Sequence, residues 1–181
     1  MAFATKEKVD VSNAQDKMEE TLEELIGLVN REVHVFQELL ATLNAQYQAV
    51  LREDVDRVWD NTTKVRELVE KTKMLEKNRI DKTAKISTHL GLDEPEPTLV
   101  KIIPLVELQY SNRLRDLRTL LISLSKRIKD TNLRNKRLLN RALNMVNTNI
   151  RLLTTGQKKP ALYNEKGAEE LLGHELFNTK Y

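Results

Sequence analysis

The sequence predicts an all-α protein: an elongated antiparallel three-helix bundle with coiled-coil packing, a long third helix and a flexible C-terminal tail. Three observations predict it. Only 4% of the 181 residues are aromatic and 31% are charged, with five Gly and four Pro. That profile suits long solvated helices better than a sheet. Apolar residues recur at steps of three and four along three long stretches, which is one helix face kept up over many turns. The breaks between the stretches carry turn chemistry, first an acidic pair and then a Pro-rich segment.

Residues 1–13 are mixed and aperiodic and are expected to be disordered. The helical domain is expected over 14–155, with helices at about 14–52, 54–90 and 105–155. Ser12 or Asn13 would cap the first helix, and Asp16, Glu19 and Glu20 would lie near its positive N-terminal end. Its seam reads Met18, Leu22, Leu25, Val29, Val33, Phe36, Leu40, Leu43, Tyr47, Val50. Glu53 and Asp54 leave room for only a tight turn, with Asp54 as the next N-cap. So short a connection joins antiparallel neighbours.

The second helix shows Val55, Val58, Val65, Leu68, Val69, Thr72, Leu75, Arg79, Thr83, Ile86 and Leu90, and Gly91 is its expected stop. Trp59 falls one residue off this seam, and partial burial is expected for it. The prolines of Leu92 to Pro97 exclude a continuous helix there. Thr98 to Ile103 have room for one or two helical turns. Pro104 then kinks the chain or opens the long helix.

Leu105 to Thr155 contains no Gly and no Pro, and as a helix it would run about 75 Å. Followed through its apolar residues, the seam passes from Ile128 through Asn132 and Asn135 to Leu139. Two successive steps of four imply a stutter at Ile128. They also place two asparagines on the seam. A buried Asn there fixes register at a cost in stability; contact with another chain is the other reading.

This helix outruns the first two by about a dozen residues, yet its stripe continues through Leu143, Val146, Ile150 and Leu153. Apolar side chains on an overhang need a cover. A second copy, the chain's own tail or a foreign helix would each serve. The tail, 156–181, carries one short amphipathic piece: Glu169, Leu171, Leu172, Leu176 and Phe177. It is expected to be flexible alone and helical on a partner.

Charge is uneven. Gln15 to Arg52 holds three basic and seven acidic residues, whereas Leu105 to Thr155 holds eleven basic and three acidic. The two segments would lie side by side in the fold, with Glu19, Glu20, Glu23 and Glu24 near Arg113, Arg115 and Arg118. The basic segment has no aromatic residue but Tyr110, so no nucleic-acid partner is expected. No apolar run is long enough to span a membrane, and a cytosolic protein is expected. There is no Cys, and His34, His89 and His174 show no ligand spacing. Neither a metal, a cofactor nor an enzyme active site is expected.

The order of motifs resembles the FlgN family. A first helix ends with Tyr47 and Leu51, and the acidic turn EDVD follows. A second helix carries Lys64, Leu68, Leu75, Glu76 and Arg79. The long helix contains NxxNxxLL at Asn132, Asn135, Leu138 and Leu139. LYNEKG comes after it, at Leu162, Tyr163, Asn164 and Gly167. The resemblance implies a cytosolic chaperone of the type III flagellar export system. Its clients would be the hook-associated junction proteins FlgK and FlgL, gripped by their amphipathic C-terminal segments. It implies client contact around the last helix and tail, where the apolar spacing offers Leu139, Leu143, Val146, Ile150 and Leu153, with Leu171 and Leu172 of the tail. It further implies docking of Tyr163, Asn164 and Gly167 on the export-gate protein FlhA. The competing expectation is a structural coiled coil that pairs with itself as a homodimer through the same stripe.

Overall fold

A computed structural model of the chain describes residues 2–92 and 97–155, with side-chain surroundings from residue 16 to residue 154. Among the described residues the structure is all helical, with four α-helices: α1 (Ala2–Leu51), α2 (Val55–His89), α3 (Leu99–Ile102) and α4 (Leu108–Thr155). A 3-10 turn, Ile103–Leu105, joins α3 to α4. Two compact units are distinguished, residues 1–138 and 139–181.

Local chemistry sets the boundaries. Asp54 caps α2 by accepting a hydrogen bond from the Arg57 backbone N–H at 3.1 Å. The turn before it puts Glu53 at φ 56°, a left-handed conformation that a non-glycine residue adopts at a cost. At the other end of α2, Gly91 takes φ 70°. The Gly91 N–H donates to Thr88 O and the Leu92 N–H to Ser87 O, at 3.2 and 3.0 Å. These are the two bonds of a Schellman stop, which needs a left-handed residue at that place.

Two expected boundaries shift. α1 begins at Ala2, not near residue 14, so residues 2–13 are helical where disorder was expected. No Pro or Gly interrupts the chain before Gly27. α4 begins at Leu108, three residues later than expected, because Pro104 is taken into the 3-10 turn and Val106 is extended at φ −100°, ψ 163°. The expected length mismatch changes with them. α1 has 50 residues and α4 has 48, and of the three long helices only α2, with 35, is markedly shorter.

Cross-helix pairs define direction within residues 1–138. Glu24 pairs with Lys82, Glu32 with Arg79, Glu38 with Lys64, and Gln46 with Thr62. Partner numbers fall along α2 as they rise along α1, so these helices run antiparallel. Glu23 pairs with Arg113, Asn44 with Arg134, and Gln46 with Asn135. Both numbers rise together, so α1 and α4 run parallel. The acidic start of α1 therefore meets the basic start of α4, through Glu23 and Arg113. Such exposed pairs orient the helices more than they stabilise them, at about 0.2–1 kcal/mol each.

Apolar burial supplies the stability. One cluster joins Leu22, Leu25, Ile26 and Val29 of α1 with Ile86, Leu99, Ile102, Ile103, Tyr110 and Leu114. α3 and the 3-10 turn thus close that end of the core. A second cluster sets Val35, Leu39 and Leu43 against Leu68, and a third sets Val33 and Leu40 against Leu124.

The seam of α4 differs from the apolar reading. Asn132 is exposed, whereas Thr131 is half-buried and Asn135 is only 2% exposed. The buried face runs Leu117, Leu121, Leu124, Ile128, Thr131, Asn135, Leu138, in unbroken steps of four and three. There is no stutter at Ile128; a polar Thr occupies the position that continues the heptad.

Asn135 anchors a buried polar layer across the three long helices. Its Nδ2 donates to Leu43 O at 2.7 Å and to Gln46 Oε1 at 3.0 Å. The Gln46 Nε2 donates to Thr62 Oγ1 at 2.9 Å, and Thr62 donates to Val58 O at 2.7 Å. Beside it the Arg134 guanidinium lies 4.3 Å from the centre of the Tyr47 ring. Asn135 Oδ1 has no partner, so the layer is incomplete and its value lies in register rather than stability.

Three outcomes follow. Ile102→Ala, at a fully buried position, costs about 2–4 kcal/mol in urea unfolding; a loss below about 1 kcal/mol contradicts the role of α3 as a core element. Asn135→Leu with Gln46→Leu replaces both partners of the buried bond and the orphaned acceptor together, and leaves stability within about 1 kcal/mol of the parent or above it. A loss above about 2 kcal/mol shows the polar layer to be a stabiliser. Burial pushes the Glu32 carboxyl above its ordinary range, and the Arg79 guanidinium 2.9 Å away offsets this only in part. A raised folded-state pKa favours the fold below the ordinary carboxylate pKa and loses that contribution as pH rises through the raised value. Glu32→Gln therefore gains stability relative to the parent between pH 4 and pH 7; a relative loss over that range reverses the sign of the argument.

Candidate functional site

The far part of α4 is where burial stops. Leu138 and Leu139 are half-buried, and every residue from Asn140 to Thr154 is exposed. The apolar pattern does not stop with it. Leu143, Val146, Ile150 and Leu153 are 59%, 51%, 53% and 72% exposed. Steps of four, three, four and three from Leu139 hold them on one face. The stripe is about 21 Å long at 1.5 Å per residue.

Met145 and Leu152 are also more than half exposed, more than about 100° round the helix from the stripe. The sequence reading passed over both, because it followed one seam and they lie one residue off it. Their own seven-residue spacing was the signal. Six large apolar side chains over eleven residues exceed the scattered exposed residue that any protein surface carries.

Among the described residues none buries the stripe. Thr148 Oγ1 donates to Asn144 O, and Thr154 Oγ1 to Ile150 O, so these hydroxyls bond within their own helix. The charge around the stripe has one sign. After Asp130, α4 contains Arg134, Lys136, Arg137, Arg141 and Arg151 and no acidic residue. At about 100° per residue Arg137 and Arg141 fall on the side of α4 opposite the stripe, so the stripe itself offers apolar anchors at the spacing that helix recognition uses.

Of the expected site residues, α4 brings together Leu139, Leu143, Val146, Ile150 and Leu153. Leu171 and Leu172, and the docking residues Tyr163, Asn164 and Gly167, lie outside the described residues. Asn135 belongs to the α1–α4 interface and not to the exposed stripe. Trp59 corrects its expectation: it is 71% exposed, beside Leu51 and Val55 at 53% and 76%. Its offset from the α2 seam carried it to the solvent side. Among the described residues no group of three or more His, Asp or Glu is placed to hold a metal ion. No described helix is long and apolar enough to cross a membrane.

Charge reversal tests the electrostatic part of this description. Arg137→Glu with Arg141→Glu changes two exposed residues and leaves the urea midpoint nearly unchanged. A marked fall in that midpoint would show that these side chains hold the fold.

Compared with known protein families, residues 18–170 match the family described as FlgN protein. No curated protein and no solved structure gives a significant match. The matched span covers more than four-fifths of the sequence and includes all of α2, α3 and α4. The chain belongs to the FlgN family, a family of flagellar export chaperones.

Proposed function

We propose that this chain is a cytosolic chaperone that captures the amphipathic C-terminal segments of the hook-associated proteins FlgK and FlgL and delivers them to the type III export gate. The observation that carries the reading is the exposed α4 stripe, Leu143, Val146, Ile150 and Leu153, continuing from Leu139. A client helix lays its own apolar face along it. Family membership supports the chaperone role, and the stripe supports the place of capture.

The physics of capture is burial. Each anchor is more than half exposed, and covering it removes apolar surface from water at about 25 cal/mol per Å2. Four anchors yield several kcal/mol before the cost of ordering the client. Capture by burial is an equilibrium, so a competing surface at the gate is enough to release the client. Tyr163, Asn164 and Gly167 are the residues proposed to dock on FlhA, a role that rests on the family resemblance of the LYNEKG segment.

Pairing of two copies through the stripe is the competing use. It brings together two stretches that are net positive and hold no acid beyond Asp130, and like charges disfavour it.

Ile150→Asp with Leu153→Asp tests the site. With helicity unchanged, affinity for a C-terminal peptide of a hook-associated protein falls at least about tenfold, since two charges enter an apolar contact. Binding at parental strength moves the client site elsewhere. Light scattering at low micromolar concentration checks the competing use: a monomer is expected, and a dimer broken by the same two substitutions would make the stripe a self-association face.

A further inference from the structure

The stripe is one of two lines on the far part of α4. The buried face of the core, Leu117 to Leu138, repeats in steps of four and three. Carried past Leu138 in the same steps, it reaches Ala142, Met145, Asn149 and Leu152, and all four are exposed. The stripe of Leu139, Leu143, Val146, Ile150 and Leu153 is this line shifted by one residue. Before Leu139 the shifted line reads Arg118, Ile122, Ser125, Lys129, Asn132 and Lys136, apolar only at Ile122. A second apolar line therefore begins at Leu139, where burial ends.

Together the two lines make one broad face. From Leu143 round to Leu152 it spans about 180°, at about 100° per residue. Asn149 is its only polar side chain. The other side of the helix carries Asn140, Arg141, Asn144, Asn147, Thr148 and Arg151, none of them apolar. A helix that packs on one neighbour needs only a narrow seam.

We infer that the client covers this face with two helices, one along the stripe and one along the line of Met145 and Leu152. This rests on the reading of the stripe as the client site and adds the form of the client, a helical pair in place of a single amphipathic helix.

The core part of the same helix supplies the measure. Between Leu117 and Leu138 the buried face spans about 100°. Two helices already cover it, since Ile128 packs against a cluster that joins Leu39 of α1 to Leu68 of α2. The wider far face takes no fewer. A single helix laid on the stripe leaves Met145 and Leu152 in water. A second copy fits less well, because two α4 helices paired about a twofold axis give each other one neighbour, and one line of each stays exposed. Asn149 stands in the line of Met145 as Asn135 stands in the core seam, and a polar residue there selects one register of the partner. Leu139 to Leu153 rises about 21 Å, so each client helix needs about 14 residues and the pair with its turn about 35.

Two double variants separate the lines. Ile150→Asp with Leu153→Asp charges the stripe, and Met145→Asp with Leu152→Asp charges the other line. All four residues are exposed, so helicity and the urea midpoint stay near the parent. For a C-terminal peptide of a hook-associated protein, about 40 residues long, each pair lowers affinity at least about tenfold. The four together lower it at least about a hundredfold. Parental affinity after Met145→Asp with Leu152→Asp, where Ile150→Asp with Leu153→Asp still weakens binding, overturns the second helix and leaves the client reading in place. Absence of binding to the parent chain overturns the client reading and this inference with it. Methyl NMR of the parent chain gives a readout free of substitution: the same peptide shifts Met145 and Leu152 together with Val146 and Ile150. Shifts confined to the stripe overturn the pair. So does a dimer in light scattering that Met145→Asp with Leu152→Asp breaks, which assigns that line to a second copy.

Discussion

One mismatch governs this molecule: α4 keeps an apolar face over 48 residues, while the side chains that bury it end near Leu139. Up to that point the face is spent on the core, against Leu22, Leu25, Leu40 and their neighbours. Beyond it the same chemistry continues without burial. A stretch that only needed to stay helical and solvated would carry Glu, Lys and Gln on every face. Here Leu, Val and Ile recur at core spacing, and that is the reason to read the far stretch as a binding surface.

The rest of the fold holds α4 in one register. A shift of one residue along α4 would change which side chains continue into the exposed stripe. Charge pairs are too weak and too exposed to prevent such a shift alone. The buried contact of Asn135 with Leu43 O and Gln46 is directional and satisfies its donors in only one alignment. Thr131 adds a second polar position to the same face. A core of leucine alone would be tighter but less specific. The polar layer sits three residues before Leu138, the last position of the buried face.

Much of this was legible in the sequence. Steps of three and four located the long helices. Asp54 and Gly91 marked the ends of α2 through chemistry that does not depend on tertiary contacts, a cap and a left-handed stop. The acidic and basic segments correctly pointed to α1 lying beside the start of α4, through Glu23 and Arg113. What was misread had a common cause. Following apolar residues alone skipped Thr131, so a regular seam looked like a stutter through Asn132. The same habit passed over Met145 and Leu152. Sequence signals also say little about where an uninterrupted helix begins, so α1 was read twelve residues short and the length argument rested on the wrong pair of helices. Trp59 was assigned part of the core on residue type, although its offset from the seam indicated solvent. The stripe survived these corrections because it depends on spacing along one helix and not on relative lengths.

The most direct test is a methyl NMR titration of the full chain with a C-terminal peptide of a hook-associated protein. The account predicts shifts at Val146, Ile150, Leu143 and Leu153, with Leu25, Leu114 and Ile102 of the core unmoved. Shifts confined to Leu51 and Val55 at the α1–α2 turn, with the α4 methyls unchanged, would contradict it.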